Sequence, residues 1–577
     1  MDRRFLLAMM LFIAIIVIPS LVFQRPPTPP AGGDSLPSVT PAPPSPAVER
    51  PAPDSQVAPV TQVDTLVPIA RDSLPDIAED TVSARSALYT YQISTRGARL
   101  VSATLTSYRS MSGGDAPGPL ELLRPESDFL ALRLLRGQDT LYLDRWAFMT
   151  PAAGSSVDVA QAPQVSFAAE DQGVAVNLQY TFHPEDYQVE VSGRIDGVGP
   201  NGALLLVGLG PGMRNTEADS NGNYRDMGLV TKSVKTSQTR LSSLDAGVTE
   251  TLSGPFEWAA VKSKYFVTAM LAIDSGAPPI SGVTATAPTD AGKNPKTADM
   301  WASVPVAADG LFRYRAYVGP MEYSRLAQMG HDFDDVNPYG WPGIRTLIRP
   351  IAIGVRWLLV WMHDNLHMSY GLVLVVFGVL VRIVLWPLNQ KGMRASLRMQ
   401  AIQPMMKEIQ DKHKGDPQKL QQEVFKLYKE HHVNPLGGCW PVLLPLPVLF
   451  ALFFVFLNTI ELRGVPFLWL PDLSRADPLY IIPVLMGLSM WGMSKVGQIG
   501  VPPNPQMKMM LYIMPLMMTV LFARFPSGLN LYYTVSNMVS VPQQWYLAKE
   551  RLRAKAGKAP APAGASKKKA EAGKSKK

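Results

Sequence analysis

The chain has 577 residues, a net charge of +8 and a single cysteine, Cys439. One cysteine excludes an intramolecular disulfide, so an exported domain would have to hold together on its own core. The length allows two or three domains, and a mean hydropathy near zero hides a split. Residues 1–23 and roughly 340–547 are strongly apolar, while the middle reads as water-facing protein.

The N-terminus reads MDRRFLLAMMLFIAIIVIPSLVF. Its apolar run is about long enough to span ~30 Å, and no small-x-small cleavage site follows. We read 1–23 as an uncleaved signal anchor whose start Arg3 and Arg4 hold in the cytoplasm. Twelve prolines between Pro26 and Pro59 make 24–84 an extended linker with a spacer role.

Residues 85–325 read as an exported all-β sandwich. In VAVNLQYTF (174–182) Val174, Val176, Leu178, Tyr180 and Phe182 share one face, and YQVEVSGRI (187–195) alternates again after HPED. That is a hairpin pattern. A general acid or base for sugar chemistry would be His183, which stands in the turn, so a scaffold or docking role is favoured over catalysis.

Segment 342–367 carries apolar residues at 344, 347, 348, 351, 355, 358, 359 and 362, with Arg345, Arg349 and Arg356 off that stripe. It reads as an amphipathic helix in the membrane interface, and the arginines argue against a spanning helix. Five membrane-length segments follow in the core 370–547: 370–388, 438–460, 479–496, 508–525 and 527–547. The loop 389–436 holds nine Lys/Arg, and the tail from Lys549 holds eleven against two acids. The loop 461–478 holds two Lys/Arg and three acids. The basic loop and the tail 548–577 are therefore cytoplasmic and 461–478 exported. Loop 389–436 reads as a helical hairpin around KGDP, bent at Pro404 and ending before Asn434-Pro435. His413, His431 and His432 lack ligand partners at metal spacing and read as a solvated face, so no metal and no cofactor are expected.

The fold class is thus a polytopic α-helical membrane protein of six transmembrane helices, with a large exported β-sandwich and a cytoplasmic helical hairpin. Arg382 is the exception within its span, roughly 9 Å from the cytoplasmic end at ~1.5 Å per residue. Its cost there is of order 2.5–3.5 kcal/mol on insertion scales. Two readings stay open: a snorkelling arginine, or one facing a wet cavity where it attracts a carboxylate. The tail can bind anionic lipid or ribosomal RNA. A secondary transporter with a substrate site at Arg382 is the alternative, but it would call for paired internal repeats, and five unequal spans show none.

VNPLGGCWPVLLPLPVLFALF, ELRGVPFLWLPDLSRADPLYIIPVLMG and FPSGLNLYYTVSNMVSVPQQ closely resemble the YidC/Oxa/Alb family of membrane protein insertases, in its Gram-negative form. The resemblance covers about 340–550 and extends more weakly to the sandwich and the anchor. It implies no enzyme. It implies an inner-membrane protein with both termini cytoplasmic and the large domain periplasmic, acting as insertase and chaperone for nascent inner-membrane proteins. Partners would be the Sec translocon, the ribosome and anionic lipids, and not DNA. The family has a hydrophilic groove open to the cytoplasm and to lipid, where an arginine matched by Arg382 draws in the polar part of a substrate. The apolar segment then leaves sideways into lipid. Tyr532 and Tyr533 match groove residues by motif, and Asn458 and Asn537 are further candidates, with helix–helix hydrogen bonding as their other reading. Where the family often has threonine one turn before the arginine, this chain has Gly378. A substrate slide would carry Phe450, Phe454, Met510, Met514 and Met517, whose flexible thioethers fit varied apolar partners; ordinary packing is their other reading. Ribosome contacts would come from Lys407, Lys412, Lys414, Arg551, Arg553, Lys567, Lys568 and Lys569.

Overall fold

The structure, a computed structural model, describes residues 79–113, 118–272, 279–340, 343–413, 415–431, 446–501 and 505–556. The anchor at 1–23, the linker to residue 78, Lys414, His432, Cys439, the start of the second apolar segment and the tail beyond 556, with Lys567, Lys568 and Lys569, lie outside the described residues. So do the side chains of Lys407 and Met510.

Residues from Thr81 to Pro320 form three sheets of five, eight and six strands, almost wholly antiparallel. The first strand, Thr81–Arg85, begins inside the segment read as linker. Strands Val174–Phe182 and Gln188–Asp196 pair antiparallel, with Val189 opposite Phe182 and Val191 opposite Tyr180. The alternating residues of the first are buried, as period-2 patterning requires. Trp258–Lys262 and Phe266–Leu271, in the middle of the eight-stranded sheet, are buried along their whole length and carry no alternation.

One buried core runs through all three sheets and is rich in tyrosine. Tyr89 and Tyr91 stack with ring centres 3.9 Å apart. A buried phenol needs an acceptor, and the backbone supplies it. Tyr91 donates to Val318 O at 2.6 Å, Tyr180 to Ala98 O at 2.6 Å and Tyr317 to Pro320 O at 2.7 Å. His183 keeps its place in the hairpin turn, where its carbonyl accepts from Tyr89 at 2.9 Å.

The β-rich domain and the apolar helices belong to one compact unit, Glu79–Ile409 with Gln422–Lys577. The strap between them, 331–340, is tied to the β-rich domain at two points. Trp258 Nε1 donates to His331 O at 3.0 Å, and Lys262 Nζ donates to Asn337 Oδ1 at 3.2 Å. Burial lowers the Lys262 ammonium to about 8.

Among the described residues seven helices follow: α1 (Arg345–Leu366), α2 (Tyr370–Lys412), α3 (Pro417–Glu430), α4 (Leu446–Asn458), α5 (Ile481–Gly497), α6 (Pro505–Phe522) and α7 (Ser527–Ala556). In α1 the buried positions Ile348, Ala352, Arg356, Leu359 and Met362 recur at helical spacing. That face packs on α4. The arginines expected on the polar side are instead engaged: Arg345 with Asp335, Arg349 with Asp334 at 2.6 Å, and Arg356 with Glu461. The face left exposed is apolar, with Leu347, Trp357 and Trp361.

Segment 370–388 and the first arm of the basic loop form one unbroken helix, α2, rather than a span followed by a separate arm. Its first part, Tyr370–Pro387, is the one described stretch long and apolar enough to cross a membrane. α4, α5 and α6 contain shorter apolar helical stretches. In the hairpin, Ile402, Met405, Met406 and Ile409 of α2 meet Leu427 and Tyr428 of α3.

Candidate functional site

The site is built on α7. Its start is fixed by Ser527 N–H donating to Arg475 O at 2.6 Å and Gly528 N–H to Leu473 O at 3.0 Å. From there Asn530, Thr534, Ser536, Asn537, Ser540 and Gln543 are all buried, an unusual polar run for a helix flanked by apolar neighbours. Thr534 and Ser540 donate their hydroxyls to their own helix four residues back, to Asn530 O at 2.8 Å and Ser536 O at 2.7 Å. Their remaining lone pairs stay on the helix surface as acceptors.

Arg382 lies against this run. Its Nε donates to Ser536 Oγ at 2.6 Å. Among the described residues no carboxylate stands within ion-pair distance of it. Ile383 and Val384, the next two residues on α2, are exposed. The helix therefore turns an apolar face outward and the guanidinium inward. One turn further on, Gln543 Nε2 donates to Trp386 O at 3.3 Å, a second tie between α2 and α7.

Tyr532 packs beside this pair, its ring 5.8 Å from that of Phe377. Tyr533 turns towards Phe522 at 5.5 Å, and its hydroxyl is buried with no hydrogen-bond partner among the described residues. Gly378 explains itself by space: a Cβ there would stand 3.3 Å from Val535 Cγ1. The position where the resemblance suggested threonine is a close contact between α2 and α7.

The two candidate asparagines take other partners. Asn458 does not join Arg382; its Nδ2 donates to Pro338 O at 3.0 Å, and its carbonyl accepts from Asn337. It ties α4 to the strap below the β-rich domain. Asn537 reaches the other side of α7 and donates to Ser489 Oγ on α5 at 3.2 Å, a helix–helix bond. Ser536, Ser540 and Gln543 were missed, although their spacing of four and three residues on an apolar helix is a readable signal.

The proposed slide residues are distributed over two helices. Phe454 on α4 is buried edge-on to Phe453 at 5.4 Å, and Phe450 is half-buried. Met514 and Met517 on α6 are half-buried beside the exposed Tyr512, Ile513, Leu516 and Val520. Of the basic residues, Lys412 and Arg553 are exposed. Arg551 is not available to a partner as expected: it donates to Gly497 O and to Ile499 O, capping the C-terminal end of α5.

The chain matches two family models in order, the YidC periplasmic domain over 81–353 and the 60Kd inner membrane protein over 361–555. A membrane protein insertase YidC from Chlorobaculum parvum is 30% identical over 95% of this chain and 94% of its own length. One from Syntrophus aciditrophicus is 28% identical over 95% of this chain and 100% of its own. The crystal structure of an active YidC insertase aligns over 80% of this chain and 91% of its own, with 17% identity and a TM-score of 0.33. With 30% identity to the Chlorobaculum parvum insertase sustained over nearly the whole length, the chain belongs to the YidC family of inner-membrane insertases, which are not enzymes.

Proposed function

We propose that this protein receives nascent membrane proteins in a polar recess between α2 and α7 and releases their apolar segments sideways into lipid. The observation that carries the reading is Arg382, set in the most membrane-like helix yet turned inward onto Ser536 without a carboxylate partner among the described residues. A cation so placed attracts the acidic or polar part of an entering segment. The acceptor oxygens along α7 then replace some of the water that segment gives up. No bond is made or broken; the recess lowers the barrier to moving polar groups through hydrocarbon.

In this reading the chain crosses the inner membrane six times, with both termini cytoplasmic and the β-rich domain periplasmic. The spans are the anchor at 1–23 and the five apolar segments within 370–547. α1 lies in the outer interface with Leu347, Trp357 and Trp361 towards lipid. Phe450, Phe454, Met510, Met514 and Met517 form the slide, and the Sec translocon acts with the protein on some substrates. The test is reconstitution of the full chain into proteoliposomes with a small two-span substrate whose exported segment is acidic. Insertion faster than into empty vesicles is expected; an equal rate would end the reading.

Ribosome contact is assigned to the basic residues of 389–436 and the tail. Because Arg551 caps α5, the informative truncation removes 557–577 and spares the cap. Co-sedimentation with ribosomes should weaken on truncation. In the intact protein it should fall steeply with salt, by roughly 10³-fold between about 50 and about 200 mM for some six phosphate contacts. Binding unchanged by truncation would leave the hairpin as the sole contact.

A further inference from the structure

Between α4 and α5 the chain passes through Ile460–Leu462 and Arg463, and these residues do not sit loosely. Ile460 is 2% exposed and belongs to the same buried core as the sheets of the β-rich domain. Leu462 is fully buried. The Arg463 side chain is 4% exposed and each of its nitrogens has a partner. Nε donates to Glu217 Oε1 at 2.8 Å, Nη1 to Arg109 O at 3.0 Å and Nη2 to Thr216 O at 3.0 Å. The guanidinium also lies 5.3 Å from the centre of the Phe266 ring. Gly464 follows with φ +72°, and a side chain there would collide with Met111. Two residues before Arg463, Glu461 takes the opposite direction and pairs with Arg356 of α1.

The same loop reaches the site. Its carbonyls at Leu473 and Arg475 accept the first N–H groups of α7, the helix that carries Ser536. A fully partnered, buried arginine is a costly group to leave unpaired, so its socket holds the loop in one position.

We infer that Arg463 is a latch: a positioning residue through which the β-rich domain fixes the loop that seats α7, and so holds Ser536 in register with Arg382. The inference rests on the insertase reading above. It changes what removal of the domain should do. The helices would keep their apolar contacts, but Ile460 and Arg463 would lose the surface that orders them.

The test uses the full chain with Cys439 replaced by serine and spin labels at two exposed positions, Val234 on the β-rich domain and Leu468 on the loop. With Arg463 intact, one narrow distance distribution is expected. Arg463→Ala should broaden it and slow insertion into proteoliposomes about tenfold, while the β-rich domain stays folded and its thermal unfolding is lowered only by the Glu217 carboxylate left unpaired. Glu217→Gln, which keeps a hydrogen-bond acceptor, should lie between the two. Arg463→Lys should recover part of both the narrow distribution and the rate, which a general packing defect would not allow. A narrow distribution in Arg463→Ala, or a broad one with an unchanged rate, overturns the latch. If the labelled protein with Arg463 inserts nothing, the insertase reading itself has failed.

Discussion

Replacing Arg382 by alanine should leave a folded protein that inserts acidic segments roughly 10- to 150-fold more slowly. The magnitude follows from losing one hydrogen-bonding charge, about 1.5–3 kcal/mol, at about 1.4 kcal/mol per tenfold in rate. Folding should survive because the only described partner of the guanidinium is Ser536, and α2 and α7 stay joined through Gln543 and the close contact at Gly378. Arg382→Lys should keep much of the rate, since attraction of a carboxylate needs a positive charge more than a planar fork. Ser536→Ala should cost less than Arg382→Ala, because it frees the cation without removing it. The sign is set by substrate charge: segments whose exported part is neutral should show a smaller loss. Initial rates of proteoliposome insertion, compared across substrates with and without exported acids, decide the matter. Equal rates for Arg382→Ala and the unaltered protein would remove the arginine from the mechanism.

What could be read from the sequence was whatever has a short period or a large local cost. The hairpin 174–196 was legible because alternate residues had to face one core, and the structure pairs those strands as expected. Arg382 was legible because an arginine in an apolar run has few cheap explanations. Partners far away in the chain were not legible. Arg356 lies off the apolar stripe in a helical projection and reads as a polar-face residue, yet it is buried and its partner Glu461 is 105 positions away. Asn458 reads as a further groove candidate beside the resemblance, and only the folded chain brings Pro338 to it. Trp258–Lys262 gave no alternation because both its faces are covered. Ser536 is the opposite case: the polar spacing along α7 is visible in the sequence, but nothing local marks which of its polar residues meets Arg382.

Arg356→Ala should destabilise the protein by about 3–5 kcal/mol, the usual cost of leaving one member of a buried ion pair alone. The Arg356 side chain is 9% exposed and that of Glu461 21%, so water can compensate only part of the loss. The guanidinium also lies over the ring of Tyr323, at 5.3 Å, so truncation removes packing as well as charge. The stranded carboxylate would sit between Ile460 and Leu462, both buried. Replacing both partners by apolar residues of similar size, Arg356→Met with Glu461→Leu, removes the unpaired charge and should restore most of the stability. The single variants Arg356→Met and Glu461→Leu and the double variant, unfolded in the same detergent, form a cycle whose coupling term should be large and favourable. If the double variant is as unstable as the sum of the singles, the pair is not the source of the effect, and the loop would be held by Arg463 and its buried neighbours alone. If the double variant is stable but inserts slowly, α1 needs the ion pair for its placement against the loop rather than for folding, and the two sides of residues 460–463 serve one end, holding α1 and the β-rich domain to the same loop.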